Sequence, residues 1–332
     1  MTTEFELVDN LSSWFGDATG VLVGIGDDAA VLESAPFDLV AMDTLVEDVH
    51  FRPQWGDASD VGWKTLAANL SDIAAMGGTP GPFFLSLALP STGDNEWVED
   101  FCRGTGEVVA ELVDDPSEVS AAGGDLSATS GPKVATITLL GESPPTGPVL
   151  RRGASPGDRI IVTGRPGASA AGLAVLSSDR LDARDFPDLV TRFLRPRPPV
   201  KLGDIVGQQA IPTAMIDVSD GLVQDLGHLV DASDVGARIE LDALPVSPSM
   251  RRLEDEGAGR IDDWLLGGGE DFSLLMTVAP DDVGELTAVA EEHEYSIHDV
   301  GVVVDDEDVI VVDRDGNCVE VSTPGYSHFE EP

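Results

Sequence analysis

Acidic side chains outnumber basic ones by more than three to one in this sequence, with 61 Asp and Glu against 19 Lys and Arg and a formal net charge of −42. A charge of this size destabilises a compact state by self-repulsion unless salt screens it. At about 1 M salt the Debye length falls to about 3 Å, so surface carboxylates stop repelling one another. The composition therefore predicts a halophilic protein. A chain that binds cations or a basic partner is the alternative.

The same charge restricts the partners that we expect. Lysine occurs only at Lys64, Lys133 and Lys201, and no basic patch is present to neutralise phosphates, which disfavours nucleic acid and anionic membranes. Residues 4–14 predict a short amphipathic helix without the basic and apolar regions of a signal peptide, and no apolar run approaches the 18 or so residues of a membrane span. We therefore expect a cytoplasmic protein, in a salt-rich cytoplasm, that acts on small molecules.

Strand-like and helix-like segments alternate along both halves of the chain, which predicts an α/β or α+β fold. A Pro- and Gly-rich segment at 142–158 separates the halves, and it predicts two domains, 1–146 and 147–332. The clearest helix is predicted at 57–78, where apolar residues recur at helical spacing before two glycines. The alternating segment 300–316 predicts a terminal β-hairpin.

Some carboxylates lie among glycine and apolar residues instead of polar turns. Carboxylates near a packed core are costly unless they are paired or bound to metal, and basic partners are scarce here. Mg²⁺ takes such oxygen ligands. Each acid also has an ordinary alternative as a turn residue, a helix position or an N-cap, but six such sites in one chain favour a metal cluster. These acids are Asp27 and Asp28 in GIGDDAAVL, Asp43, Asp72, Asp125, Asp217 and Asp220 in MIDVSDGL, and Glu270 and Asp271 in GGGED.

Three further features could contact a phosphate. Arg165 precedes a helix in VTGRPGASAAG, whose N-terminus could hold a phosphate, although a plain strand-to-helix turn is equally consistent. Arg151 and Arg152 are either a phosphate-binding pair or a surface pair, and His50 either contacts an anionic substrate or is structural. GIGDDA matches G-x-G-x-x-A, but two aspartates would face the pyrophosphate and a strand follows, so we reject a dinucleotide site.

The motifs resemble, in the same order, those of the thiamine-monophosphate kinases, from about Phe5 to Phe329. They include GIGDDAAVL, DTLVEDVHF, GWKTLAANLSDIAAMGGTP, GGDLSATSGP, MIDVSDGLVQDLGHL, LGGGEDFSLL and GYSHF. The resemblance implies a two-domain aminoimidazole-ribonucleotide synthase-like α/β (α+β) fold, with an N-terminal sheet domain that binds ATP and Mg²⁺ and forms a homodimer, and a C-terminal α/β domain. It also implies ATP-dependent phosphorylation of thiamine monophosphate to thiamine diphosphate with several Mg²⁺ ions.

The resemblance also assigns roles to individual residues. It implies magnesium contacts by Asp28, Met42, Asp43, Asp72, Asp125, Asp217 and Asp220, and catalytic roles for Asp43, Asp72 and Asp125. It implies ATP contacts by Gly124, Asp125, Arg151 and Ser219, and thiamine phosphate contacts by His50, Glu270 and Tyr326. Two departures stand out: Met42 replaces a hydroxyl residue, so only its backbone carbonyl could reach a metal, and LSATSGP replaces the frequent TTRGP after GGD.

The charges of the reactants indicate how such a transfer would work. The nucleophile is a phosphate oxygen whose second pKa is about 6, so it is mostly deprotonated near pH 7 and needs no general base. Catalysis is then positioning and charge neutralisation. The cationic thiazolium could lie on Tyr326 or Trp55, worth roughly 0.5–2 kcal/mol. Two alternatives remain: another ATP-using enzyme of the superfamily, such as a purine cyclo-ligase, and a non-enzymatic acidic cation-binding protein.

Overall fold

The computed structural model describes residues 21–23, 28–32, 37–90, 95–306 and 308–327. Asp27 and the helix predicted at 4–14 lie outside these residues. In the described part of the chain, none of the helices combines the length and apolar character that crossing a membrane requires.

The first sheet has six strands in the order β1-β2-β3-β6-β4-β5, and its neighbours are antiparallel except β4 and β5, which are parallel. The antiparallel pair of β1 and β2 lies at one edge of this sheet. The last strand, β5, was not predicted, because its glycine-rich sequence lacks the alternation of a strand. The strands are β1 (Val21–Val23), β2 (Ala30–Leu32), β3 (Leu39–Val46), β4 (Thr79–Pro90), β5 (Ala121–Thr129) and β6 (Val134–Glu142).

Helix α1 (Ala58–Ala75) is the predicted helix at 57–78, and it is buried on nearly all sides. Asp57 begins it with a capping box: its side chain accepts the Asp60 N–H at 3.1 Å, and the Asp60 side chain accepts the Asp57 N–H at 3.1 Å. Helix α2 (Asn95–Leu112) and strands β3 and β6 pack on one part of α1, and the second half of the chain packs on another. The burial of α1 follows from this position between two groups of elements, and its polar side chains must find partners inside the protein.

The second sheet has the order β12-β9-β11-β7-β10-β8, antiparallel except for β12 and β9. Its strands are β7 (Arg159–Thr163), β8 (Pro212–Val218), β9 (Gly236–Glu240), β10 (Ser273–Val278), β11 (Ile297–Val304) and β12 (Val309–Val312). The helices of this half are α3 (Ala168–Leu176), α4 (Pro187–Leu194), α5 (Val200–Gln208), α6 (Leu222–Ser233), α7 (Pro248–Asp255), α8 (Ile261–Gly267) and α9 (Val283–Glu292), with short 3₁₀ turns at Ala183–Asp185 and Leu241–Ala243.

The terminal hairpin predicted at 300–316 is wrong. Both strands exist, but β11 pairs with β7 and β9, and β12 pairs in parallel with the other edge of β9. Both edges of β11 are therefore occupied before β12 begins. The alternation identified two strands, whereas their pairing depended on a strand about 60 residues earlier.

One of the apolar core clusters contains residues of both halves. Ala74 and Ala75 of α1 pack with Leu202, Met215 and Leu274 from the second half. The first sheet ends at Glu142 and the second begins at Arg159, so the predicted boundary between 146 and 147 falls in the connecting segment and stays a prediction. This arrangement places the carboxylate of Asp72, near the end of α1, between the two sheets.

Candidate active site

Four of the acids predicted from the sequence converge between β3, α1 and the end of β8. Carboxylate oxygens of Asp28, Asp72 and Asp217 lie within 4.8 Å of one another. Asp43 joins them through a side-chain hydrogen bond with Asp72. Because β3, α1 and β8 come from distant parts of the chain, only the packing of α1 between the sheets brings these carboxylates together.

The cluster has the electrostatics of a site built for a cation. Burial raises the pKa of Asp72 well above its usual range, and Asp43, Asp217 and Asp28 raise it further. Burial and Asp28 also raise the pKa of Asp217, although the Ser71 hydroxyl donates to it at 2.7 Å and lowers it. Burial raises the pKa of Asp43 as well, against the effect of its hydrogen bond with Asp72. Buried like charges need protons or a cation, and these oxygens suit a hard divalent cation.

Arg151 is a basic partner of this cluster. Its Nε and Nη2 donate to the two carboxylate oxygens of Asp28 at 3.0 and 2.9 Å, and the Asp28 side chain is only 1% exposed. The expectation that the embedded acids have no basic partner is therefore wrong for Asp28. The pair also places the predicted ATP-contacting arginine beside the predicted metal ligands.

A cavity of about 540 Å³ opens next to the cluster, between the two halves. The three residues predicted to face the thiamine phosphate line this cavity, together with several residues predicted to contact metal or ATP. Trp55 and Phe193 add aromatic surface to its wall. From the predicted set, the residues that line it are Met42, Asp43, His50, Ser219, Asp220, Glu270 and Tyr326. The structure thus brings together residues that are as much as 284 positions apart in the chain.

The Ser219–Gly221 turn at the cavity is held by a residue that the sequence analysis missed. Asp225 Oδ2 accepts the N–H groups of Ser219, Asp220 and Gly221 at 3.0, 3.1 and 3.0 Å. Helix α6 begins after Gly221 without a side-chain cap, so the alternative role of Asp220 as an N-cap is wrong. An aspartate four positions after a glycine turn, at a buried helix position, was the available signal.

Glu270 reaches the cavity from a strained backbone position. Its φ is +63°, a left-handed conformation that is uncommon outside glycine and clusters at functional sites. Its N–H donates to the Ser219 carbonyl at 2.6 Å, and a Cβ at Gly269 would lie 2.5 Å from that same oxygen. The GGGED segment therefore lies directly against the Ser219 turn.

Lys64 is a second residue that the sequence analysis missed. It is buried in α1, its Nζ lies 3.1 Å from Glu270 Oε1, and it sits 3.5 Å from the centre of the Phe193 ring. Burial lowers its pKa, while Glu270 raises it. A lysine in the middle of the clearest helix, in a chain with three lysines, was the signal that could have identified it.

His50 is held by the backbone of the turn after β3. Its Nδ1 accepts the Val46 N–H at 3.0 Å. When the ring is neutral its proton therefore sits on Nε2, which makes that nitrogen the donor.

Asp271 is buried for a structural reason. It accepts the N–H groups of Gly167 and Ser169 at the start of α3, the latter at 3.0 Å. Burial raises its pKa to about 6, against these two N–H donors and Arg192. Because Asp271 occupies the first amides of α3, a phosphate at this helix N-terminus is not supported.

Asp125 lies apart from the cluster within one chain. Across successive strands, Asp125 pairs with Ser86, Ser86 with Thr136, and Thr136 with Thr44. Thr44, the neighbour of Asp43, is therefore three strand spacings, about 14 Å, from Asp125. These residues occupy the open face, whereas Asp43 points with Ala41 and Leu45 toward α1. Gly124 packs against the Leu85 carbonyl, which a Cβ would meet at 1.9 Å. The metal role of Asp125 and the ATP role of Gly124 stay predictions.

Comparison with known proteins agrees with this geometry. Two family models match, the AIR synthase related protein N-terminal domain at residues 26–142 and its C-terminal domain at 155–314. The chain is 40% identical over 318 residues to the thiamine-monophosphate kinase of Escherichia coli K12, covering 94% of this chain and 93% of the relative. It is 33% identical over 335 residues to that of Bacillus subtilis 168, covering 98% and 99%.

Solved structures show the same likeness. AaThiL complexed with AMPPCP and TMP superposes with a TM-score of 0.83 at 29% identity, over 98% of this chain and 97% of that one. The thiamine-monophosphate kinase of Stenotrophomonas maltophilia K279a gives 0.74 at 35% identity, over 95% and 98%. The E. coli hydrogenase maturation protein HypE shares the fold, with a TM-score of 0.70 at 17% identity over 98% of each chain. The chain belongs to the AIR synthase related protein family, among its thiamine-monophosphate kinases.

Proposed function

We propose that this protein transfers the γ-phosphoryl group of ATP to thiamine monophosphate, forming thiamine diphosphate. The observation that carries the proposal is the cavity of about 540 Å³, where His50, Glu270 and Tyr326 lie beside Asp43 of the carboxylate cluster. The relatives named thiamine-monophosphate kinase support it over nearly the whole chain. A structure of AaThiL that is complexed with AMPPCP and TMP supports the choice of both substrates.

The carboxylate cluster fits Mg²⁺ by its chemistry. Asp28, Asp72 and Asp217 supply converging oxygens, and Asp43 is hydrogen-bonded to Asp72. These residues would hold the ion, and Asp220 would hold a further one at the cavity. When bound, Mg²⁺ supplies positive charge that neutralises the phosphates and the transferring group.

The chain itself supplies position and charge for the reactants. Arg151, beside Asp28, would bind phosphate oxygens of ATP with its planar donors, and Ser219 would contact the nucleotide from its fixed turn. The acceptor oxygen of thiamine monophosphate is mostly deprotonated near pH 7, since its second pKa is about 6. Attack in line on the γ-phosphorus therefore requires no side chain as a base.

The acceptor pocket suits a molecule with a positive ring and a negative tail. Tyr326 is half exposed and Trp55 lines the same cavity, so either ring could lie against the thiazolium, worth roughly 0.5–2 kcal/mol. Glu270 provides a carboxylate at the wall, and His50 can donate from Nε2 to the phosphate. The resemblance assigns His50, Glu270 and Tyr326 to this substrate.

We also propose a homodimer that forms through the open face of the first sheet. Met42 and Phe84, which the register places side by side through Thr138, expose 66% and 44% of their surface there, which is unusual for large apolar side chains on one sheet face. Asp125 belongs to this face, and Gly124 is its neighbour in β5. The net charge supports the further proposal that the enzyme works in a salt-rich cytoplasm.

One assay tests the proposed reaction directly. The protein is incubated with ATP, Mg²⁺ and thiamine monophosphate in molar KCl, and we expect thiamine diphosphate and ADP in equal amounts. Asp43→Asn should lose the product, whereas Asp281→Asn, an exposed change of the same chemistry, should retain it.

Other outcomes identify the alternatives. A purine cyclo-ligase-like enzyme would leave thiamine monophosphate unchanged and release ADP only with its own acceptor. A cation-binding protein would bind Mg²⁺ without releasing ADP from any acceptor. Either result would refute the kinase proposal.

A further inference from the structure

A second cavity, of about 320 Å³, lies in the second half of the chain and is lined by three arginines, Arg165, Arg192 and Arg197. It shares no lining residue with the substrate cavity. The two cavities lie close together, because Arg192 and Phe193 are consecutive in α4 and each lines a different one. Such a concentration of basic side chains is unexpected in a protein with a net charge of −42.

Two of these arginines form no ion pair with the described residues. Within the described residues, neither Arg165 nor Arg192 has a carboxylate oxygen within 4.0 Å, although 61 acids are present in the chain. Arg197 pairs with Glu111 at 2.6 Å. Glu294 also lines the cavity but forms no ion pair with the arginines. Arg165 and Arg192 therefore have no carboxylate in contact with them, although Asp271 attracts Arg192 from a greater distance.

The environment of Arg192 shows unmet hydrogen-bonding capacity. Among the residues that the structure describes, its Nε is buried with no hydrogen-bond partner, and its Nη2 donates only to the Asp271 carbonyl at a long 3.4 Å. Burial lowers the pKa of Arg192; Asp271 raises it, and Arg165 and Arg197 lower it. Buried unpaired donors are costly, and an anion would relieve both the repulsion and the missing contacts.

We propose that this cavity is a second ligand site, distinct from the substrate cavity, for a small molecule that carries a phosphate group. Guanidinium groups bind phosphate oxygens in two-point contacts that a lysine cannot make. The volume of about 320 Å³ exceeds that of a single phosphate, so the ligand is an organic phosphate or a diphosphate. Glu294 and Tyr295 line the same cavity and suit a hydroxyl group or ring attached to that phosphate.

The site has a direct structural connection to the substrate cavity. Arg192 donates to the carbonyl of Asp271, whose neighbour Glu270 lines the substrate cavity. A ligand that draws the Arg192 guanidinium toward itself would change this contact. Occupation of the second site is therefore expected to alter the KM for the substrate that Glu270 faces. This consequence rests on the proposed function, whereas binding at the second site does not depend on it.

The test measures binding of inorganic pyrophosphate to the metal-free protein by calorimetry at fixed molar KCl. Arg165→Glu removes an exposed arginine of the cavity, and Arg180→Glu is the matched control, since Arg180 is exposed and has the same charge change. Arg151→Met removes the proposed phosphate contact of the candidate active site, so a loss of binding in this variant would show that pyrophosphate binds there. We expect saturable binding that weakens at least about tenfold in Arg165→Glu and persists in Arg180→Glu and Arg151→Met.

Three results would overturn the proposal: no saturable binding by the wild-type protein, equal weakening in Arg165→Glu and Arg180→Glu, or loss in Arg151→Met with retention in Arg165→Glu. The unfolding midpoint of each variant confirms that it is folded. Formation of thiamine diphosphate without pyrophosphate is measured in parallel and should be unchanged in Arg165→Glu. Failure of the second site and failure of the kinase reaction are thus separate outcomes.

Discussion

Two sets of aspartates in the interior of this protein have opposite surroundings. Asp225 and Asp271 each accept two or three backbone N–H groups. Asp72 and Asp217 instead face other carboxylates, and in the part of the chain that the structure describes Asp217 has one hydroxyl donor, Ser71. Burial raises the pKa of all four residues.

The difference teaches how to separate structural acids from functional ones. Burial and a raised pKa do not distinguish them, because both sets show these properties. The identity of the neighbouring groups does: backbone donors satisfy a carboxylate that holds a turn, whereas converging oxygens leave a charge that a cation must balance. The comparison therefore predicts opposite consequences when a member of each set is replaced.

The largest effect is expected on activity when the cluster is altered. Asp72→Asn removes a proposed metal ligand, so the rate of thiamine diphosphate formation should fall by about a hundredfold or more. The free energy of unfolding of the metal-free protein should not fall, because the change relieves repulsion from Asp43, Asp217 and Asp28. Steady-state kinetics and urea unfolding check both parts. Retained activity, or a strongly destabilised variant, would place Asp72 in the structural set.

The next effect is expected on stability when Asp225 is truncated. Asp225→Ala leaves the N–H groups of Ser219, Asp220 and Gly221 without their acceptor, which should cost about 3 kcal/mol of unfolding free energy. All three bonds go to one oxygen, so Asp225→Asn, which keeps an acceptor oxygen, should lose much less. Equal losses in the two variants, measured by urea unfolding, would show that the charge of Asp225 matters more than its acceptor.

The smallest effect is expected on the pH dependence of stability. The raised pKa values of Asp72 and Asp217 mean that the folded protein binds more protons than the unfolded chain at pH values above about 3.8, so the unfolding free energy falls as pH rises through this window. Asp271, with a pKa of about 6, contributes in the same direction up to about pH 6.

Mg²⁺ should reverse this loss, because it binds deprotonated carboxylates. Its effect on the melting temperature should be about 2 °C larger at pH 8 than at pH 5, for about 1 kcal/mol of added stabilisation. Thermal scans with and without Mg²⁺ check this. The difference should vanish in Asp72→Asn and persist in Asp271→Asn; equal behaviour of the two variants would contradict the distinction between the sets.

Much of the fold and of the candidate site could be predicted from the sequence. Local patterns located α1, the strand before the Ser219 turn and most of the acids that converge, because periodicity and embedded charges are local properties. Strand β5 was missed because glycine-rich sequence hides its alternation. The pairing of β11 and β12 was wrong because β9 separates them.

Lys64 and Asp225 show a different limit. Each has only a weak local signal, so their roles are visible mainly through their partners, Glu270 and the Ser219 turn. Asp125 shows the reverse limit. Its motif resembles one that supplies a metal ligand, yet the register of the first sheet places Asp125 on the open face.

The sequence by itself determined the family, the alternation of elements in two halves, the excess of negative charge and the acids that are candidates for a metal site. These features are carried by residue type and spacing, which do not depend on packing. Only the tertiary structure decided which carboxylates meet, which are satisfied by backbone N–H groups, and that Arg165 and Arg192 share a cavity without an acid partner. Those properties depend on distances between residues far apart in the chain, which are set when α1 packs between the two sheets.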